Sequence, residues 1–324
     1  MKALAISLAI LGWIGIAAAG VGQRQVEGLS LAVTGDQVTL SWNAVPGAVS
    51  YNVYSSATGT GFGLDASGAF DGPNWTAPVN GDRRFYRVTH VSPDPLGLVF
   101  VQGGTLIPDS GSYVSGLMVS SFHISQYEVS NSQWSAVMGS GSADSYPRAY
   151  VNWQETIEYC NRLSLQEQLT PCYTLQGYGT DPAGWPADWE WDANNHLLLS
   201  WNQSANGYRL PTDAEWEYAA RGGVFTNGYA YSGSNNLGSV GWYGYNSGGY
   251  AHTGGGKAAN EIGTFDMSGN LFEWCWTLQS WGQAYIRGGA YNSGFQACAV
   301  QARDYRYVTN FANNIGFRVC RSSL

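Results

Sequence analysis

The residues of this chain best able to do redox or metal chemistry are five cysteines: Cys160, Cys172, Cys275, Cys298 and Cys320. No Cys-x-x-Cys pair occurs among them, which excludes a zinc knuckle or a thioredoxin-like dithiol. The four histidines, His90, His123, His196 and His252, are scattered, and none stands four residues from another. Gly59-Thr-Gly61-Phe-Gly63 precedes no helical pattern, so it reads as a turn and not as a phosphate cradle. Two stretches remain. Asp266-Met-Ser-Gly269-Asn-Leu271-Phe-Glu273 offers hard oxygen donors within a tight turn, the donor type that calcium takes in sets of about six to eight. Tyr291 to Asn314 combines Tyr with Asn, Ser and Gly, the large amphipathic contacts and adaptable hydrogen-bonding groups that binding loops use. Its candidate ligand contacts are Tyr291, Asn292, Ser293, Phe295, Gln296, Asp304, Tyr305 and Tyr307. Structural alternatives stand beside both readings. Asp266 could cap a turn, Glu273 could pair with Arg287 or Arg303, and the tyrosines could pack on the core.

Charge and leader narrow the setting. The net charge is −8 with only 15 Lys and Arg, which excludes a nucleic-acid surface built on clustered basic residues. Met1-Lys2, an apolar run from Ala3 to Ile16 and the small residues Ala17 to Gly20 predict a Sec signal peptide over 1–20. The run is short for a span of about 20 residues, and no later segment could cross a bilayer. The mature chain is therefore expected to be secreted or at the cell surface. Outside the cell cysteines can pair, and an odd number leaves at least one without an intrachain partner. Cys298 reads either as a buried thiol or as half of a disulfide with Cys275 or Cys320. Cys160 and Cys172 could close a small loop worth about 3 kcal/mol.

The elements that must position these residues fall into two blocks, as a length of 324 predicts. Residues 27–92 alternate at period two over Gln37–Trp42 and Ala48–Tyr54, with Arg84–Thr89 as a late strand, which predicts a small β-sandwich. Ser92-Pro93-Asp94-Pro95 favours an extended linker at 93–96. From residue 97 to 322 short strands alternate with short helices. Ser130 caps a helix over Asn131–Met138 that Gly139 ends. Gln154–Glu167 has the apolar spacing of a second helix. Thr212 and Glu215 form a capping box for a third over Ala214–Ala220. The 224–262 stretch, mostly Gly, Ser, Asn and Tyr, is expected to be ordered coil. The 43 Gly, 14 Trp and 21 Tyr fit this loop-rich, aromatic-framed α+β design and not a helical bundle.

Four strings carry a resemblance. They are Gly207-Tyr-Arg-Leu-Pro-Thr-Asp-Ala-Glu-Trp-Glu-Tyr-Ala-Ala220, Asp266–Trp274, Arg287-Gly-Gly-Ala-Tyr291 and Ile315-Gly-Phe-Arg318. Together the second block resembles the formylglycine-generating enzyme (sulfatase-modifying factor) family, a variant of the C-type lectin fold. The first block resembles a fibronectin type III domain, whose bland role is a spacer. The resemblance implies one calcium on the side chains of Asp266 and Glu273 and the carbonyls of Gly269 and Leu271. It also implies a copper(I) site on two cysteines spaced Cys-x4-Cys after the glycine turn. Counted forward from the turn, the first of those positions holds Ser293 and the second Cys298; counted back from Gly316 through Arg303, Cys298 slips off even the second, and either way one thiolate is missing. A hydroxyl is a poor copper(I) ligand, so sulfatase activation is expected to be lost and copper is not expected. The implied role of Arg209 and Glu215 is that of buried anchors. The 291–314 segment resembles the variable region of retroelement-diversified proteins on this same scaffold. The expected function is a non-catalytic, calcium-stapled binding, display or adhesion module for a protein or glycan outside the cell. A copper oxidase using Cys298 with a partner such as Cys275, and a self-associating structural subunit, are the competing expectations.

Overall fold

A computed structural model of the chain describes residues 23–25, 28–43, 50–58, 63–79, 85–91, 96–106, 112–114, 116–186, 189, 198–280 and 282–323. The signal peptide expected at 1–20, His196 and most of the linker expected at 93–96 lie outside the described residues. The chain divides into two compact units, Met1–Pro95 and Leu96–Leu324.

The first unit holds β1 (Gln23–Gln25), β2 (Ser30–Thr34), β3 (Gln37–Ser41), β4 (Ser50–Ser56), β5 (Gly63–Leu64), β6 (Ala69–Asp71), β7 (Asn74–Pro78) and β8 (Phe85–Val91). They form two antiparallel sheets, ordered β1-β8-β4-β5 and β2-β3-β7-β6. Period-two alternation sends Val38 and Leu40 of β3 inward with Trp75 and Ala77 of β7. Val53 of β4 and Val88 of β8 meet them from the other sheet, closing one core.

The second unit opens with β9 (Leu98–Val101), β10 (Gly104–Thr105), β11 (Met118–Val119) and β12 (Phe122–Ser125). Helix α1 (Asn131–Met138) starts at Ser130, which accepts the Gln133 amide while the Gln133 side chain accepts the Ser130 N–H at 2.8 Å. Gly139, at φ 71°, ends it in the left-handed region where a glycine carries no Cβ penalty. Helix α2 (Trp153–Gln166) uses the same device with Asn152 and Glu155, one residue earlier than its periodicity predicts. It buries Ile157, Tyr159, Cys160 and Leu163 against the main core. Then come β13 (Tyr173–Leu175), β14 (Leu199–Trp201), β15 (Tyr208–Arg209), α3 (Asp213–Ala220) and α4 (Leu237–Val240). The chain closes with β16 (Phe272–Ser280), β17 (Gln283–Arg287), β18 (Arg303–Tyr307), β19 (Ile315–Gly316) and β20 (Cys320–Ser322). Two four-stranded sheets organise the unit, β15-β20-β12-β9 and β18-β17-β16-β19.

Buried ion pairs tie α3 to these sheets. Thr212 and Glu215 cap the helix, and Glu215 also takes a two-pronged bond from Arg209 at 2.7 Å on each side. Asp213 pairs with Arg287 and, at 2.7 Å, with Arg303. Glu217 pairs with Arg287 and with Arg221, both at 2.9 Å. Each acidic residue of the helix thus meets an arginine from β15, β17, β18 or the helix end. Breaking one partner of such a pair typically costs about 3–5 kcal/mol, because the survivor keeps its desolvation penalty. The Arg-Leu-Pro-Thr-Asp-Ala-Glu-Trp-Glu string is therefore scaffold, and its charges hold the helix in register with the strands.

Candidate functional site

The glycine turn after β17 sets the geometry of the Ser293–Cys298 pair. Gly288 and Gly289 have φ of 92° and 73°, and a Cβ on Gly289 would lie 2.6 Å from the Cys298 sulfur. The turn therefore presses directly on the thiol. Ser293 is turned back into it, its Oγ accepting the Ala290 N–H at 3.0 Å. Cys298 is fully buried, with its sulfur 3.7 Å from the Gly294 carbonyl. Burial pushes its thiol up to about 12. Cys275 sits in a separate apolar cluster with Trp216 and Val300, and burial likewise raises its thiol well above the ordinary value. All five cysteines are buried free thiols. Copper(I) takes soft, deprotonated sulfur. A hydroxyl and a thiol that stays protonated at neutral pH do not fit it.

The Asp266–Glu273 turn closes over a second polar centre. Asp266 and Asn270 adopt φ of 58° and 61°, a region that Asp and Asn enter more readily than other side chains. Asp266 Oδ2 accepts the Gly255 N–H at 2.8 Å, while Oδ1 is buried with no hydrogen-bond partner. Glu273 is wholly buried. Arg318 donates to both of its oxygens at 2.7 Å, and Trp216 Nε1 donates at 2.6 Å. The arginine expected opposite Glu273 was Arg287 or Arg303. It is Arg318, because those two are committed to Asp213. A third carboxylate, Glu128, enters from the β12–α1 connection and accepts Leu271 N–H at 2.9 Å and Asn270 Nδ2 at 2.5 Å. Burial, then the charges of Asp266 and Glu273, push Glu128 well above the carboxylate range. Burial pushes Asp266 up to about 6 against the pull of the Gly255 N–H and Arg318. Three buried carboxylates thus share one guanidinium.

Among the described residues no three His, Cys, Asp or Glu side chains converge on one metal position. A cation at this turn would need backbone carbonyls such as those of Gly269 and Leu271 to complete its shell. Asp266 fits that role, since its Oδ1 is a buried acceptor with nothing to accept from. Glu273 would have to share its oxygens with Arg318.

The predicted contact residues separate into two groups. Asn292, Phe295 and Gln296 are exposed on the turn after Gly289, and Ser293 is half-buried. Tyr291 is not displayed. It is buried, its N–H donates to the Asn270 carbonyl and its own carbonyl accepts from Ser247 Oγ. Asp304, Tyr305 and Tyr307 lie on β18, the edge strand of its sheet, with both tyrosines exposed and Asp304 paired to Arg306 at 2.7 Å. Behind the turn, the 224–262 coil is held by its own aromatics. The His252 ring stacks on Trp242 at 3.8 Å, and Lys257 Nζ sits 4.0 Å over the same indole. Sequence reasoning missed Glu128 and Arg318, whose partners lie more than 40 residues away and follow no local period.

The description "Sulfatase-modifying factor enzyme 1-like domain" matches residues 89–323. The chain is 40% identical over 218 residues to "Chaperone protein LppX" of Paenibacillus barcinonensis, covering 59% of this chain and 74% of that protein. It is 30% identical over 224 residues to a formylglycine-generating enzyme of Thermomonospora curvata, covering 57% and 73%. Among solved structures, Treponema denticola variable protein 1 superposes with a TM-score of 0.62 at 30% identity, over 70% of this chain and 95% of that one. CarF superposes with a TM-score of 0.60 at 25% identity, over 71% and 99%. With most of Leu96–Leu324 matched and the arginine-clamped α3 and glycine turn in place, the chain belongs to the sulfatase-modifying factor family.

Proposed function

We propose that this chain is an exported, non-catalytic binding protein that keeps the family scaffold and has lost its oxidase chemistry. The observation that carries the reading is the Ser293–Cys298 pair, one hydroxyl turned onto Ala290 and one buried thiol held up to about 12. The glycine turn still brings the Ser293–Gln296 loop and β18 to the surface, so what remains there is contact area without a reactive thiolate. The similarity to a protein named as a chaperone, and to one named as a variable protein, supports a role in holding a partner. The partner is a protein or glycan outside the cell, met at Asn292, Phe295, Gln296, Tyr305 and Tyr307. A calcium ion on Asp266, Gly269, Leu271 and Glu273 would neutralise the excess of buried carboxylate and order the turn beneath that surface. The first unit, whose two sheets share one core, serves as a fibronectin type III-like spacer, and the Sec leader accounts for export.

The test is direct. Purified mature chain, copper(I) and oxygen are incubated with a peptide carrying the cysteine motif of a sulfatase, and the peptide is analysed by mass spectrometry. The reading expects no formylglycine above the enzyme-free control. Aldehyde that disappears on Cys298→Ala would establish the oxidase instead.

A further inference from the structure

One residue outside every predicted site is held in an unfavourable backbone. Tyr150 has φ 54°, a region that a bulky side chain enters at a cost and that clusters at functional positions. It is also 61% exposed. Its neighbours fix it there. Tyr150 N–H donates to the Ala312 carbonyl at 3.0 Å, and Arg148 N–H donates to the Val129 carbonyl at 2.7 Å. On the far side, a Cβ at Gly316 would lie 2.6 Å from the Arg148 carbonyl, so only glycine lets β19 pass this loop.

Four segments meet around this tyrosine. The Ala312 bond brings the backbone of residues 311–312 to it. Asn314 Nδ2 donates to Asn292 Oδ1 at 3.1 Å, joining that loop to the turn after Gly289. Gly244 N–H donates to the Ser293 carbonyl at 2.9 Å, so the chain leading into Tyr245 borders the same turn. The phenol of Tyr291, below, is pushed up by burial and then by Tyr150, so the two groups are neighbours. Tyr245 is 84% exposed and Phe311 58%. The Asn292–Asn314 amide pair leaves one N–H donor set on Asn292 and one carbonyl acceptor on Asn314 without a protein partner among the described residues.

None of Tyr150, Tyr245, Phe311, Asn292 and Asn314 carries a charge. The nearest ionic side chain in sequence, Arg148, is half-buried, lies over the Trp134 ring at 4.8 Å and is countered by Glu155. A protein-binding centre typically enriches Arg beside its aromatics, and a charged ligand would need a counter-charge. Separate aromatic faces with a fixed amide donor and acceptor between them match a molecule with apolar C–H faces and hydroxyls that both give and accept hydrogen bonds. Resting on the binding reading above, we propose that Tyr150, Tyr245 and Phe311, with the Asn292–Asn314 amide pair, form a platform for a neutral oligosaccharide.

The experiment is calorimetric titration of the mature chain with cellohexaose, xylohexaose and N-acetylchitohexaose, at low and high salt. At least one sugar is expected to bind, with an affinity unchanged by salt because no ion pair is formed. Tyr150→Ala and Tyr245→Ala are each expected to weaken it about tenfold or more, while Tyr178→Ala, at an exposed tyrosine of the β13–β14 connection outside the platform, leaves it unchanged. Tyr150→Gly separates binding from folding. It relieves the positive φ, so it should melt no lower than the parent and still lose the sugar. Heat from none of the three sugars, or binding indifferent to both tyrosine variants, overturns the platform, and a protein partner at this surface then takes its place. That failure leaves the absence of oxidase activity untouched. Formylglycine production would overturn the binding reading whatever the sugars do.

Discussion

Arg318→Met tests the buried acid centre most severely. Arg318 is wholly buried and its donors are engaged. Nε and Nη2 hold Glu273 at 2.7 Å, Nη1 reaches the Ser125 and Gln126 carbonyls at 2.9 and 3.1 Å, and Nη2 reaches the Phe265 carbonyl at 2.9 Å. Methionine keeps the length and removes the charge. Glu273 is then left beside Glu128 and Asp266 without its cation, and three carbonyls lose donors. A buried pair broken on one side costs about 3–5 kcal/mol, a third or more of the roughly 5–15 kcal/mol that holds a typical domain. The loss must depend on pH. Carboxylates held above their unfolded value favour the protonated form in the fold, so stability falls as pH rises through their folded values. Removing Arg318 raises them further, so the deficit is largest at neutral pH and shrinks in acid. The assay is urea unfolding of the mature chain, followed by tryptophan fluorescence in chelator, at about pH 5 and about pH 7.5. Adding Glu273→Leu to the variant should recover part of the loss, because no orphaned charge then remains there. A cost below about 1 kcal/mol, or one equal at both pH values, refutes the assignment of Arg318 as the counter-charge of this centre.

Other predictions follow from the same geometry. If calcium occupies the Asp266 turn, it must hold Asp266 ionised. Calcium should therefore raise the melting temperature at about pH 7.5 and have little effect at about pH 5, below the raised value of about 6 for Asp266. At a hundredfold excess over Kd the stabilisation is about 2.7 kcal/mol. Asp266→Asn should abolish the calcium effect and stabilise the chelated protein at neutral pH, and calcium-independent melting of the parent chain contradicts the site. Gly269→Ala should destabilise strongly by thermal melting, since its φ is 98° and the new Cβ would lie 2.2 Å from the Trp242 carbonyl oxygen. A parental melting temperature would show that the turn adopts another backbone. Cys298→Ala should change stability by about 1 kcal/mol, the scale of a small buried truncation, and leave sugar binding intact.

Local signals in the chain read correctly where the governing contact is local. Ser130 and Thr212 each cap a helix through a residue three positions on, so α1 and α3 start within one residue of where their caps predict, while α2, expected from its apolar spacing, starts one residue early behind the Asn152 cap. Arg209 and Glu215, six residues apart, are the anchors that the motif implies. The acid centre was half legible. Asp266 and Glu273 stand in one turn, but Glu128 joins them across 142 residues, measured by its bond to Asn270. Arg318 stands in the closing Ile-Gly-Phe-Arg string, and nothing local distinguishes it from Arg287 or Arg303 as a partner for Glu273. Tyr291 and Tyr150 show the limit of composition. A Tyr-rich stretch does not say which phenol points inward, and Tyr291 is buried. Tyr150 lies in an unremarkable Arg-Ala-Tyr-Val run whose strain is set by long-range bonds to residues 129 and 312.

The central claim is that the scaffold survives without its pair of soft donors, and copper(I) stoichiometry tests it most directly. The mature chain and Ser293→Cys are titrated with copper(I) against a chromophoric chelator. The parent chain should fail to withdraw copper(I) from the chelator, while Ser293→Cys, which restores the Cys-x4-Cys spacing, should bind more of it. One equivalent held tightly by the parent chain, and lost on Cys298→Ala, would contradict the account.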